Sequence, residues 1–277
     1  MDVIWSGGTT EEALSAWRES MQDSGFDVGA STAMHNINFD DLHTEKVAKN
    51  MLKNYVDRYS NFLRQIELIA IEQPFAVPLS PDPSDKTSYV GSIDKVYRKQ
   101  NHIIFVDHKT TKAYKKDGPF RADYLESFSP DAQMEGYMYA GALTYQDNFR
   151  GMRIDNALVH KTVHNGFRML PLEKSFELLD QWLIETQQYI SNLIDEYNDL
   201  FKHWDHWKKN SVLPLFLRRT EECNHYAGCT YKNICKFNPN PLKLDVDDPP
   251  EGFEVSRWSP FDEIALNKLQ LTPGEDD

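Results

Sequence analysis

With only three cysteines, an odd number, the 277-residue chain has too few thiols for a disulfide framework. No apolar run approaches the length of a membrane span, and the opening MDVIWSGGTT lacks the basic and apolar regions of a secretory leader. Basic residues are not in surplus either. The formal net charge is −13, which argues against indiscriminate nucleic-acid binding, a mode that runs on phosphate neutralisation. There is no phosphate-cradling glycine loop of the Walker type, no G-x-S-x-G elbow and no internal repeat, so an ATPase or a serine hydrolase has no support. A soluble, cytoplasmic protein is expected.

What is present is enough apolar and aromatic residue to bury one sizeable core, with appendages. Thr9 followed by Glu12 reads as a capping box opening a short helix through Trp17, and residues 24–40 read as loop. From Leu42 the apolar positions Val47, Met51, Leu52, Tyr55, Tyr59, Phe62 and Leu63 recur at helical spacing. IELIAIE and FAVPL then read as strand, as do YVGSIDKVYR, HIIFVDH and residues 155–164, with Phe167 to Leu170 pairing with the last. Ser129-Pro130-Asp131, with Ser129 as cap, starts a helix running through Tyr145. A long helix follows over about 173–208, its stripe made by Phe176, Leu179, Leu183, Ile190, Leu193, Tyr197, Leu200 and Trp204, with Trp182 and Trp207 also read as core. This order fits an α/β or α+β layered domain. The expected divisions are a helical region at 1–65, a core at 66–210, a cysteine segment at 211–240 and an acidic, Pro-rich tail at 241–277 with a docking segment at Trp258 to Leu266.

The two central strands carry the chemistry. With Gln100 and Asn101 as the loop of a hairpin, Lys99 pairs with His102 and, five steps further along, Asp94 with Asp107. Their Cβ atoms would lie about 5 Å apart, and alternation puts Lys109 on the face of Asp107. Opposed like charges destabilise a hairpin, and a divalent cation offsets that repulsion. Such an ion polarises a phosphodiester and lowers the pKa of a bound water, and a nearby lysine stabilises charge developing on phosphate. Glu72, at the end of the preceding strand, would lend another oxygen. The alternative is a hydrated pair of carboxylates at a sheet end. Against it stands the local charge: residues 94–121 hold eight Lys or Arg and three Asp, as a phosphate backbone would require. Gln133 and Tyr137, four apart, share a helical face. His160 and His164 read as ordinary strand residues.

Gly91-Ser-Ile-Asp94, Asp107-His-Lys109-Thr110 and Gln133-x-x-x-Tyr137 together resemble the RecB-type branch of the PD-(D/E)XK nuclease superfamily, which includes the nuclease domains of RecB and AddB, CRISPR-associated exonucleases and many phage exonucleases. The resemblance implies a restriction-endonuclease-like core, a central mixed β-sheet flanked by helices. It implies a Mg²⁺- or Mn²⁺-dependent deoxyribonuclease, with DNA as partner. Asp94, Asp107 and the main-chain carbonyl of His108 would bind the metal, and Lys109 would be the catalytic lysine. Gln133 and Tyr137 would hold the site together and approach DNA, and Glu72 matches the family's acidic residue on the first core strand. The family's early-helix metal histidine corresponds to His43 or His35, without the preceding glycine. The expected activity is exonucleolytic or end-processing, in recombination, repair or phage DNA metabolism, with a repair or recombination protein as a further partner. A weakened or truncated relative serving as a DNA-binding or complex-forming subunit is the alternative.

The cysteines Cys223, Cys229 and Cys235 fall within thirteen residues as C-x5-C-x5-C. In relatives such a knuckle holds a [4Fe–4S] cluster with a fourth cysteine near the N-terminus, and this chain has no fourth cysteine. Three readings stand: a chain lacking its relatives' N-terminal segment, a Zn²⁺ site completed by His225 or His206, or three reduced buried thiols.

Overall fold

A computed structural model describes residues 1–23, 44–112, 118–173, 175–216, 220, 223 and 229–256. They fall into two compact units, residues 1–182 and 183–256.

The first unit is a five-stranded mixed sheet with helices on both faces, the α/β layering and restriction-endonuclease-like core expected from the sequence. Strand order follows the chain: β1 (Glu67–Pro78), β2 (Ser88–Lys99), β3 (His102–Thr111), β4 (Phe149–Leu158) and β5 (Phe167–Leu172). All neighbours are antiparallel except β3 and β4, which are parallel and joined by a crossover carrying α4 (Ala122–Glu126) and α5 (Ala132–Tyr145). The last β-strand reading is corrected: β4 starts and ends earlier than residues 155–164, which leaves His160 and His164 in the loop beyond it.

One face of the sheet packs on α5. Phe75, Val77, Ile93, Val96 and Phe105 meet Met134, Tyr137 and Met138 there. Each fully buried apolar side chain of this kind contributes roughly 1.5–3 kcal/mol. The helix is capped by Asp131, whose carboxylate accepts the Met134 N–H at 3.0 Å, and not by Ser129. Ser129 instead donates its N–H to Glu126 and closes the turn after α4. Buried residues at 136–138 and 140–141 show that α5 is covered on more than one side. On that outer side Trp182 packs between Tyr89 and Tyr139 and donates its Nε1–H to the Ala132 carbonyl at 3.1 Å.

The opposite face packs on α1 (Asp2–Trp5), α2 (Thr10–Asp23) and α3 (Glu45–Leu63), where Trp5, Leu14, Leu52, Tyr55 and Tyr59 meet Tyr97, Ile104, Val106 and Phe167. The Thr9/Glu12 capping box forms: Glu12 Oε2 accepts the Thr9 N–H at 2.7 Å and Thr9 Oγ1 accepts the Glu12 N–H at 3.2 Å. The helix it opens continues past Trp17 to Asp23.

The expected single helix at 173–208 is two, α6 (Phe176–Lys202) and α7 (Trp204–Lys209), with His203 between them at φ −122°, ψ 31°. Asp199 spans the break, accepting from Trp207 Nε1 and pairing with His203 Nδ1. Leu179, Trp182 and Leu200 are buried, whereas Phe176, Tyr197 and Trp204 of the expected core stripe are exposed. Within the second unit α8 (Lys232–Phe237) carries Cys235, and the buried Asn240 side chain donates to the carbonyls of Trp207 and Asn210. Among the described residues no helix is long and apolar enough to cross a membrane.

Candidate active site

The hairpin register is the expected one. β2 and β3 pair from Lys99–His102 to Lys95–Val106 around the Gln100-Asn101 loop, with Gln100 at φ +57°. The backbone ladder stops at Lys95–Val106, and Asp94 and Asp107 are the next residues along each strand. Where the following ladder bond would be, the Asp94 carboxylate accepts the His108 N–H at 2.7 Å. In an extended strand a residue's N–H and C=O point to the same side, so the His108 carbonyl is also directed toward Asp94.

β1 and β2 change phase at this level. The core under α5 takes Phe75 and Val77 but then Ala70 from β1; from β2 it takes Ile93 and then Val96. An odd-to-even switch therefore occurs in both strands, across the interval holding Glu72 and Asp94. Glu72 has a left-handed backbone, φ +47°. Gly91 precedes the switch because a Cβ there would sit 2.8 Å from the Phe75 ring.

On the α5 side, Asp107 is 2% exposed and Lys109 Nζ hydrogen-bonds its Oδ1 at 3.2 Å. The same Nζ lies 2.9 Å from Oδ2 without hydrogen-bond geometry, so among the described residues Oδ2 is a buried oxygen with a charge neighbour and no hydrogen bond. Lys109 also donates to Gln133 Oε1 at 3.3 Å, and Gln133 Nε2 donates to the Tyr137 hydroxyl at 2.9 Å. Helical spacing brings the last two together, and Gly136 lets α5 sit against Tyr89, since a Cβ there would be 2.5 Å from the Tyr89 hydroxyl oxygen. Burial pushes the Asp107 carboxyl above its ordinary range; Lys109 opposes the rise and Asp94 adds to it. Glu72 is also raised, first by desolvation and then by the charge of Asp94, which places the three carboxylates in one electrostatic neighbourhood.

Asp107, Lys109, Gln133 and Tyr137 thus form one connected chain, with Asp94 held beside it and Glu72 across from Asp94. An orphaned buried oxygen on Asp107, the Asp94 carboxylate and a main-chain carbonyl suit a hard divalent cation, which takes one or two carboxylates and leaves its other positions to water and substrate phosphate. His35 and His43 lie outside the described residues, as does His225. Cys223 and Cys235 are half-buried, Cys229 is exposed, and the Cys229 N–H donates to the Cys223 carbonyl at 3.2 Å. His206 faces Asn210 and the Trp207 ring. Among the described residues no three His, Cys, Asp or Glu side chains converge on one point, so a cation at Asp94 and Asp107 would rest on two carboxylates.

Several site neighbours escaped the sequence reading. Lys95 was counted with the basic residues, yet it is fully buried on the helical-layer face and paired with Asp2 Oδ1 at 2.7 Å. Arg98 pairs with Glu67 and Arg121 with Asp123, which neutralises further charge in the basic segment. Asp155, Tyr55 and Trp5 make a buried polar chain behind His108. Alternation was the available signal: Lys95 shares the parity of Tyr97, hence its buried face.

A mixed sheet sandwiched between helices, its central hairpin parting at two carboxylates and a lysine, has a nuclease-type fold. The chain belongs to the PD-(D/E)XK nuclease superfamily, whose family model matches residues 6–236. No individually curated protein matches it.

Proposed function

We propose that the protein is a Mg²⁺- or Mn²⁺-dependent deoxyribonuclease, an exonuclease or end-processing enzyme of recombination, repair or phage DNA metabolism. The observation that carries this reading is the buried Asp107 Oδ2, free of hydrogen bonds among the described residues and next to Lys109, which is itself tied to Gln133 and through it to Tyr137. Asp94, Asp107 and the His108 carbonyl would hold the cation, which when bound would polarise the scissile phosphodiester. Asp107 and Gln133 take two of the three donors of the Lys109 ammonium and fix its position. The third is left for the attacking water or a phosphate oxygen as charge develops there. Gln133, exposed at the first turn of α5, faces the side from which a strand would approach, and Tyr137 buttresses it. Glu72 would contribute a further carboxylate oxygen.

The ion pairs of Lys95, Arg98 and Arg121 favour a second reading, a relative that binds DNA or a repair partner but cleaves weakly. A nuclease assay on linear single- and double-stranded DNA with Mg²⁺ or Mn²⁺ decides between them. Cleavage by the wild type that is lost in Lys109→Ala supports the enzyme; DNA binding without cleavage by folded wild type supports the second reading. The C-x5-C-x5-C spacing supports a [4Fe–4S] cluster or Zn²⁺ at the cysteines, tested by the iron, sulfide and zinc content of anaerobically purified protein.

A further inference from the structure

His108 belongs to both faces of the sheet. Its main chain faces Asp94, while its imidazole lies among the helices of the other layer. There Nε2 is 2.6 Å from Lys95 Nζ and Nδ1 is 3.1 Å from Asp155 Oδ2. An ammonium only donates, so Nε2 accepts from Lys95, while Nδ1 stands beside the Asp155 carboxylate without hydrogen-bond geometry. Both ends of the ring therefore face groups almost wholly shielded from water, Lys95 at 0% exposure and Asp155 at 2%. Rotation of the imidazole would break both contacts, leaving Lys95 only its pair with Asp2 and Asp155 only its bond from Tyr55 among the described residues. Lys95 is anchored in turn by Asp2 of α1 and lies 5.7 Å from the Trp5 ring centroid; Asp155 accepts from Tyr55 of α3, which accepts from Trp5 Nε1 at 2.8 Å.

The placement of the Lys95–His108 contact gives it a purpose. Lys95 immediately follows Asp94, and His108 immediately follows Asp107. The last backbone pair between the strands is Lys95–Val106, so the side-chain contact joins β2 to β3 one step beyond the end of the ladder. We propose that Lys95 and Asp155 are positioning residues for the metal site, acting through His108: they set the spacing of Asp94 from Asp107 and aim the His108 main chain at the cation. This rests on the nuclease reading above. A buried ammonium is a costly way to gain stability, and an apolar side chain of similar length often packs as well. Its return here is a fixed geometry for the ligands.

The test is Mn²⁺ binding to the full chain, followed by calorimetry and by the electron paramagnetic resonance of free Mn²⁺, on wild type, Asp107→Ala, Lys95→Met, His108→Leu and Asp155→Asn. His108 keeps its main chain in His108→Leu and is less buried than Lys95, so this variant carries the test if Lys95→Met does not fold. Lys95→Met and His108→Leu are expected to raise the Mn²⁺ dissociation constant about tenfold or more, the usual effect of losing a residue behind a ligand. Asp155→Asn, which keeps an acceptor for Nδ1, should bind nearly as wild type does. A purely structural role would lower the melting temperature and leave the dissociation constant alone. Wild-type affinity in folded Lys95→Met or His108→Leu therefore overturns the proposal while the nuclease reading stands. Mn²⁺ binding that is absent, or indifferent to Asp107→Ala, overturns the nuclease reading itself.

Discussion

Glu72 and Asp94 fall opposite each other, between the pairs Ile71–Lys95 and Gln73–Ile93, and Glu72 stands there with φ +47°. A side chain in the left-handed region costs about 1–2 kcal/mol, and here a carboxylate is also set beside another carboxylate. Glu72→Gly is therefore expected to stabilise the metal-free protein by about 1 kcal/mol, read as a higher denaturant midpoint. Mn²⁺ affinity should fall in the same variant. A lower midpoint in metal-free Glu72→Gly would refute the strain.

Lys109→Ala and Asp107→Ala should separate binding from chemistry. Loss of Lys109 is expected to lower kcat by about 10²–10³-fold, the size of effect seen when a single charge-stabilising donor is removed, with Mn²⁺ still bound. Asp107→Ala should lose both. Equal Mn²⁺ affinity in wild type and Asp107→Ala would remove Asp107 from the ligands.

The raised Asp107 carboxyl gives a pH prediction for metal-free protein. Because its folded pKa lies above the ordinary value, protonated Asp107 favours the folded state. That contribution is fully present at pH below the ordinary carboxylate range and is lost as pH rises through the higher folded value. Asp107→Asn, which cannot ionise, is expected to melt at a higher temperature than wild type at neutral pH and to differ less in acid. A wild-type melting temperature that rises across this window relative to Asp107→Asn would reverse the assignment.

Tyr55→Phe is expected to destabilise the fold by about 1–3 kcal/mol. It leaves the Trp5 Nε1–H without its acceptor and takes a hydroxyl donor from the buried Asp155 carboxylate. Urea denaturation measures the loss, and an unchanged midpoint would mean that water replaces the hydroxyl.

Gly136→Ala tests the seat of α5. Its methyl would meet the Tyr89 hydroxyl, and Tyr89 is itself held by Phe75 and Trp182. A cost of about 1–3 kcal/mol and weaker catalysis through displaced Gln133 and Tyr137 are expected. Wild-type stability and rate together would show that Tyr89 moves freely.

The hairpin was legible because a two-residue loop leaves only one register, so the neighbourhood of Asp94 and Asp107 followed from counting. Gln133 and Tyr137 were legible for an equally local reason, the rise of a helix. What the sequence hid was non-local. Lys95 reads as one more basic residue until α1 covers it with Asp2 and Trp5, and Asp155 reads as strand until Tyr55 arrives from one hundred residues away. The cap is Asp131 and not Ser129 because the helix begins at Ala132, two residues later than the sequence reading placed it. The break at His203 depends on Asp199 serving two side chains at once, which periodicity does not register.

The bond from the His108 amide to the Asp94 carboxylate has a spectroscopic consequence. Amides at 103–106 lie in a strand paired on both sides, and they exchange with solvent deuterium only when the sheet opens. The next amide toward Asp94, that of His108, is sheltered by a side chain instead, so its exchange rate follows the Asp94 carboxylate and not the fold. One proton in the exchange map thus reports whether Asp94 is resting on its own backbone or has been drawn toward a cation, in a chain that need not cleave anything to be read.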